Sequence, residues 1–273
     1  MNEEALRAVL AAFSTSRGHL SVLTGAGISA ESGIPTFRGP AGYWKVGSRN
    51  YHPQELATQE AFAHHPREVW HWYLYRRTVC TAAQPNPGHE ALVRIEAALG
   101  RRFQLVTQNV DGLHTRAGSS DPYEIHGNID RYRCASRCTD ATHPLPDDLP
   151  PTDPGTPLSD DVFDVLSCPE CGGQARPHVL WFDECYEEGL FRSRSAYEQA
   201  VDAALMIVVG TSGSTSLPMQ IGMQCARNGV PMIDINPRDN PFGQLAVDSG
   251  VGLSLRTQAA VALTFIAEAL TAA

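Results

Sequence analysis

The spacing of apolar residues changes repeatedly along this chain. "EEALRAVLAAF" (3–13) places them as one face of a helix, and "SVLTG" (21–25) reads as a buried strand. Residues 53–80 read as helical, with Pro53 and Pro66 as start signals. "HEALVRIEAAL" (89–99) predicts an amphipathic helix. "FQLVTQN" (103–109), "ALMIVVGTS" (204–212) and "PMIDIN" (231–236) predict strands. The second of these is continuously apolar, as in a parallel sheet covered on both faces. "AAVALTFIAEALTAA" (259–273) is a further helix. Strands alternating with helices predict a doubly wound α/β sheet. Residues 139–164 break the pattern. Rich in Pro, Asp and Thr, they predict a solvated loop or linker.

Composition narrows the class. The 273 residues are 42% hydrophobic, enough for a substantial core, and carry a net charge of −9. An acidic chain argues against a dedicated nucleic-acid binder. The start "MNEEALRAVLAAF" has acids where a secretion signal has Lys or Arg, and no apolar run suits a membrane span. The expectation is a cytoplasmic protein with no nucleic-acid or membrane partner. Lys45 is the only lysine, so arginine supplies nearly all the positive charge.

Three stretches carry candidate chemistry. "GAGISAESGIPTFRG" (25–39) follows a strand and opens a helix, the arrangement that presents backbone N–H groups to phosphate. Gly25 and Gly27 fit the dinucleotide fingerprint, with Ala30 in its third position. The acid that should follow about 20 residues on is missing. That zone reads "YWKVGSRNYH", neither strand nor acid tip. "TQNVDGLHTRAG" (107–118) sets Gln108, Asn109 and Asp111 just after a predicted strand, as cleft residues or as turn and cap residues. "YEIHGNI" (123–129) places His126 a short way beyond. Cys134 and Cys138, then Cys168 and Cys171, form two close pairs around a loop, the pattern of a four-thiolate zinc site. Disulfides are the alternative, disfavoured in a cytoplasmic chain. Cys80, Cys185 and Cys225 are isolated, and His143 lies in the predicted linker.

Together these pieces resemble the sirtuin family of NAD-dependent protein deacylases. "RPHVLWFDE" (176–184), "VVGTS" (208–212) and "IDIN" (233–236) match as well, in family order. The resemblance implies an α/β fold: a Rossmann-like parallel-sheet domain from 1–38, 86–128 and 177–273. A smaller domain would combine a helical insertion (39–85) with a zinc-binding module (129–176). NAD and an acylated protein, held as an extended strand, would meet between them. NAD would touch Gly25, Ala26, Gly27, Phe37, Arg38, Gln108, Asn109, Asp111, Gly210, Thr211, Ser212, Asn236 and Val251, with Phe37 shielding the reacting ribose carbon. His126 would be the general base, near its ordinary pKa of about 6.5, aided by Asn109 and Asp111. Val179, Trp181 and Phe182 would line the substrate, and zinc would be structural. Tyr73 and Arg76 match the Tyr-x-x-Arg of the subgroup that removes succinyl and malonyl groups; their i, i+3 spacing shares one helix face. The acyl group would pass to ADP-ribose with release of nicotinamide. An ADP-ribosyltransferase or NAD hydrolase could use the same cleft, and a non-catalytic NAD sensor is a third reading. Three features depart from the family. Asp183 stands where it has glycine, the segment after Ser212 is one residue longer, and Cys134 and Cys138 are one residue further apart. Asp183 would bring negative charge to the substrate edge and favour basic peptides.

Overall fold

A computed structural model describes residues 2–35, 44–46, 49–51 and 53–271. Helix α1 (Glu3–Thr15) begins at Asn2, whose side chain accepts from the Ala5 N–H. Strand β1 (Leu20–Thr24) runs into the short α2 (Ala26–Ala30). Strands β2 (Trp44–Val46) and β3 (Arg49–Tyr51) pair antiparallel, followed by α3 (Pro53–Leu56), α4 (Gln59–His64) and α5 (Pro66–Ala82). Next come α6 (Pro87–Leu99), β4 (Phe103–Thr107), α7 (Leu113–Ala117), β5 (Tyr123–Glu124), β6 (Gly127–Cys134), β7 (Thr142–Pro144), α8 (Asp160–Asp164) and β8 (Ala175–Val179). The remainder is α9 (Glu188–Phe191), α10 (Ser193–Val201), β9 (Leu205–Val209), α11 (Ser216–Arg227), β10 (Met232–Ile235), α12 (Pro241–Asp248), β11 (Leu253–Leu255) and α13 (Ala259–Thr271).

The main sheet has the order β11-β10-β9-β1-β4-β5, with every pairing parallel. Its central strands are buried from end to end because both faces are covered. Val22, Leu105, Ile207 and Ile233 point to α1, α6 and α13, meeting Leu6, Phe13, Leu92 and Ile266. Leu23, Val106, Val208 and Met232 point the other way, to Ala196, Ile221 and Phe242 of α10, α11 and α12. Strand order reverses beside β1, so the crevice at the carboxyl ends of β1 and β9 is where such sheets bind ligands.

A second core lies outside this sheet. The antiparallel sheet β7-β6-β8 joins α3, α4 and α5 around Trp70, Trp72, Leu74, Ile129, Ala175 and Trp181. Half-buried Glu184 ties it together, reaching Arg133 at 3.2 Å and Arg176 at 2.9 Å. The Arg176 guanidinium lies 3.3 Å from the centre of the Trp181 ring. Among the described residues, each side-chain ion pair joins an arginine to a carboxylate, as in Arg77–Asp130 and Arg192–Asp121.

Several expectations need correction. "YWKVGSRNYH" holds the β2–β3 pair rather than no strand. Residues 53–80 are helical, with Pro53 and Pro66 starting α3 and α5 as expected, but a further start at Thr58, the cap of α4, went unread. Residues 139–164 are not a free linker: Leu145 and Leu158 are buried in the second core, and the His143 ring lies against Tyr132 in the β7–β6 pairing. The strands β6 and β8 run through the expected domain boundary, Gly127 pairing with Val179 on the large-domain side of it.

Candidate active site and zinc centre

The glycine turn is shaped first by its neighbour. Gly25 N–H donates to Val209 O at 2.9 Å and Gly27 N–H to Gly210 O at 2.8 Å. A Cβ on Gly27 would sit 2.5 Å from the Gly210 Cα, and one on Gly25 2.8 Å from the Thr211 Cβ. Gly210 has φ +61. The turn after β1 and the turn after β9 therefore lie backbone against backbone, an approach open only to glycine. Ala26 begins α2, and Thr211 and Ser212 continue the facing turn. The Asn236 side chain, at the end of β10, donates to Thr211 O at 3.0 Å. These residues share the crevice at the strand-order reversal. Phe37 and Arg38 lie outside the described residues.

Behind the turn sits a closed polar network. Asn109 donates from its side chain to Gly25 O and to Ser29 Oγ, both at 3.1 Å. Ser29 donates on to Asp111 at 2.7 Å, and Asp111 also accepts the Leu113 N–H. Burial raises the Asp111 pKa, while Ser29, Leu113 and the charges of Arg116 and Arg76 oppose the rise. Asn109 and Asp111 thus hold the glycine turn in place. Ser29 was not picked out from the sequence, although a hydroxyl inside a glycine turn was the available signal.

Gln108 and His126 form the wall of the crevice. The Gln108 side chain donates to Thr211 Oγ1 and accepts from Thr215 Oγ1, each at 2.9 Å. The longer segment after Ser212 therefore reaches back to β4. His126 Nδ1 lies 3.1 Å from the Gln108 carbonyl, and its Nε2 lies 2.8 Å from the Tyr186 hydroxyl. Burial lowers the His126 pKa to about 4, against a smaller upward effect of the Gln108 carbonyl. The expectation of an ordinary imidazole is thereby corrected: burial keeps the ring neutral well below neutral pH.

On α5, Tyr73 and Arg76 are both buried. Tyr73 accepts the Trp181 indole N–H at 2.9 Å, and burial pushes its pKa up to about 12. The Arg76 guanidinium lies 5.0 Å from the Trp72 ring centre, and its charge reaches Asp111. Tyr73 therefore lies in the second core against Trp181, and Arg76 lies within electrostatic reach of the polar network.

The four paired cysteines converge. Their sulfurs all lie within 4.8 Å of one another, with Cys134–Cys171 at 3.7 Å and Cys138–Cys168 at 3.6 Å. A tetrahedron of Zn–S bonds of ~2.3 Å spaces its sulfurs by ~3.8 Å, whereas a disulfide needs ~2.05 Å. The cluster fits zinc. Four thiolates leave no position for water, so the role is structural.

A profile of the Sir2 family matches residues 25–216. The chain belongs to the Sir2 family. A relative from Leptospira interrogans named NAD-dependent protein deacylase is 41% identical, aligned over 82% of this chain and 83% of its own. The zebrafish protein named NAD-dependent protein deacylase sirtuin-5, mitochondrial, is 40% identical over 83% and 76%. A solved complex described as Sir2–p53 peptide–NAD+ superposes with a TM-score of 0.75 at 27% identity, covering 98% of both chains.

Within this Sir2 fold two expected residues lie elsewhere. Val251 precedes β11, whereas Asn236 follows the parallel β10, so Val251 sits at the opposite end of the sheet from the crevice. It cannot touch a cofactor bound there, and Arg256 is the residue that follows β11 on the crevice side. Asp183 turns to α4, accepting Gln59 N–H at 2.8 Å and Glu60 N–H at 3.4 Å. Its charge answers a helix terminus rather than an open edge. Val179 and Trp181 are buried, Trp181 against Phe62, while Phe182 is 55% exposed and its N–H donates to Ala57 O. Of these three, Phe182 alone offers substantial surface to a substrate.

Proposed function

We infer that this Sir2 chain is an NAD-dependent protein-lysine deacylase, and that carboxylate-bearing acyl groups such as succinyl and malonyl are among its substrates. The observation that carries the reading is a neutral, doubly hydrogen-bonded His126 beside the β1–β9 crevice. NAD would supply an electrophilic ribose carbon and, once nicotinamide has left, ADP-ribose as acyl acceptor. The glycine turn and its facing partner would cradle the pyrophosphate, and Thr211, Ser212 and Asn236 would face the adenosine half. Gln108, fixed by Thr211 and Thr215, orients the ribose side. His126 accepts a ribose hydroxyl proton at Nε2. The buried α5 pair supports the acyl class: an arginine fork matches a carboxylate and stays charged, and Tyr73 adds a phenol. A reduced thiolate site suits a reducing compartment and supports a cytoplasmic location.

The test is incubation with NAD and acetyl-, malonyl- or succinyl-lysine peptides. Expected products are nicotinamide and O-acyl-ADP-ribose. Free or protein-bound ADP-ribose instead would favour NAD hydrolysis or ADP-ribosyl transfer, and no turnover would overturn an enzymatic role.

A further inference from the structure

Tyr186 has no role in the chemistry described so far, yet it touches the atom on which that chemistry turns. A carbonyl only accepts, so the Gln108 contact puts the His126 proton on Nδ1. Nε2 then has a single lone pair, and the Tyr186 O–H donates to it at 2.8 Å. The two rings lie 5.8 Å apart, tilted by 33°. The phenol is itself held from behind. Its oxygen faces the Leu217 N–H at the start of α11, and its ring packs on the core beneath that helix. Burial raises its pKa above the ordinary range, so at neutral pH it is a donor. Among the described residues no charged side chain contributes to the His126 shift; burial and the Gln108 carbonyl are its causes. The base is thus fixed by two neutral partners, one on each nitrogen.

We propose that Tyr186 is a positioning residue for the base: with the Gln108 carbonyl it holds the His126 tautomer, it caps Nε2, and it is exchanged there for a ribose hydroxyl when NAD binds. This rests on the reading that Nε2 takes the ribose proton. One lone pair cannot accept from the phenol and the ribose at once. On exchange the phenol keeps its own proton and its Leu217 partner. The ribose proton moves to Nε2, and the resulting imidazolium keeps its Nδ1–H on the Gln108 carbonyl. Binding therefore breaks one hydrogen bond to make another, which weakens cofactor affinity and keeps the base aimed.

Tyr186→Phe keeps the ring and deletes the contact. Two measurements on the full chain test it without turnover. In 15N spectra of the imidazole, the Nε2 resonance should move to that of an unbonded ring nitrogen, and the second tautomer should become populated. By calorimetry, ADP-ribose should bind about three- to tenfold tighter, the worth of one ordinary hydrogen bond. An unchanged Nε2 resonance, or ADP-ribose binding equal to or weaker than in the parent, would overturn the proposal. Neither readout requires an acyl substrate. A chain inactive on acyl peptides would therefore count against the deacylase reading alone.

Discussion

His126 is held neutral by burial, and that sets how its loss and its titration should look. With its pKa near 4, the accepting form is complete at neutral pH. The acid limb of kcat/KM should then lie well below pH 6.5, and a limb centred at 6.5 would assign it to another group. His126→Ala should lower deacylation by ~10²-fold or more, the low end for a lost general base. Asn109→Ala strips a partner from the Gly25 carbonyl and the Ser29 hydroxyl. It should cost about 1–3 kcal/mol of stability as well as activity, read by denaturant melts. For acyl choice, Arg76→Met should reduce desuccinylation about 10- to 150-fold relative to deacetylation, the worth of a charge-assisted bond. Equal losses would remove Arg76 as the reader. The residues of the crevice were legible because each sits in a short motif at a strand end. Tyr186 and Ser29 were not, since their roles come from which distant atom they meet: Tyr186 reaches a ring 60 residues away in sequence.

At the level of elements, burial on both faces made β1, β4, β9 and β10 readable as apolar runs. The three-residue β2 and β3 carry too short a pattern to show alternation, and residues 139–164 hide their anchors. Leu145 and Leu158 are single apolar side chains among Pro and Asp, so composition reported solvent where packing supplies a core. The cysteine spacing was readable because two short chain segments must each offer two sulfurs. Zinc analysis should find about one ion per chain. Chelation should release amide protection in β6, β7 and β8, measured by hydrogen exchange, while the β1–β9 centre stays protected. Uniform loss across both sheets would contradict a local role. Asp183→Gly removes the acceptor at the start of α4 and should cost about 0.5–2 kcal/mol. An altered preference for basic peptides with unchanged stability would instead restore its reading as a substrate contact.

For the whole molecule, acid is the weakness. Burial holds His89 and His126 down to about 4 and His114 and His178 down to about 3. The unfolded chain protonates these rings near 6.5. Between those values the unfolded state binds more protons, so stability falls as pH drops from about 6.5 toward 4. Asp234 works in the opposite sense. Burial raises it to about 6, so it stabilises the fold at low pH and loses that effect as pH rises through 6. Asp111 and Glu124, also raised, act in the same sense as Asp234. Four rings outweigh three carboxyls, so Tm should be lower at pH 5 than at pH 7, and Asp234→Asn should steepen the fall. The ion pairs among the described residues, all made by arginine, have a different chemical consequence. Acyl thioesters cap amines, and a guanidinium stays protonated and resists them. A catalyst that strips acyl groups from lysine thus fastens its own surface with a cation those groups do not attack. With Lys45 as the one side-chain amine to be capped, it offers its own active site almost no competing substrate.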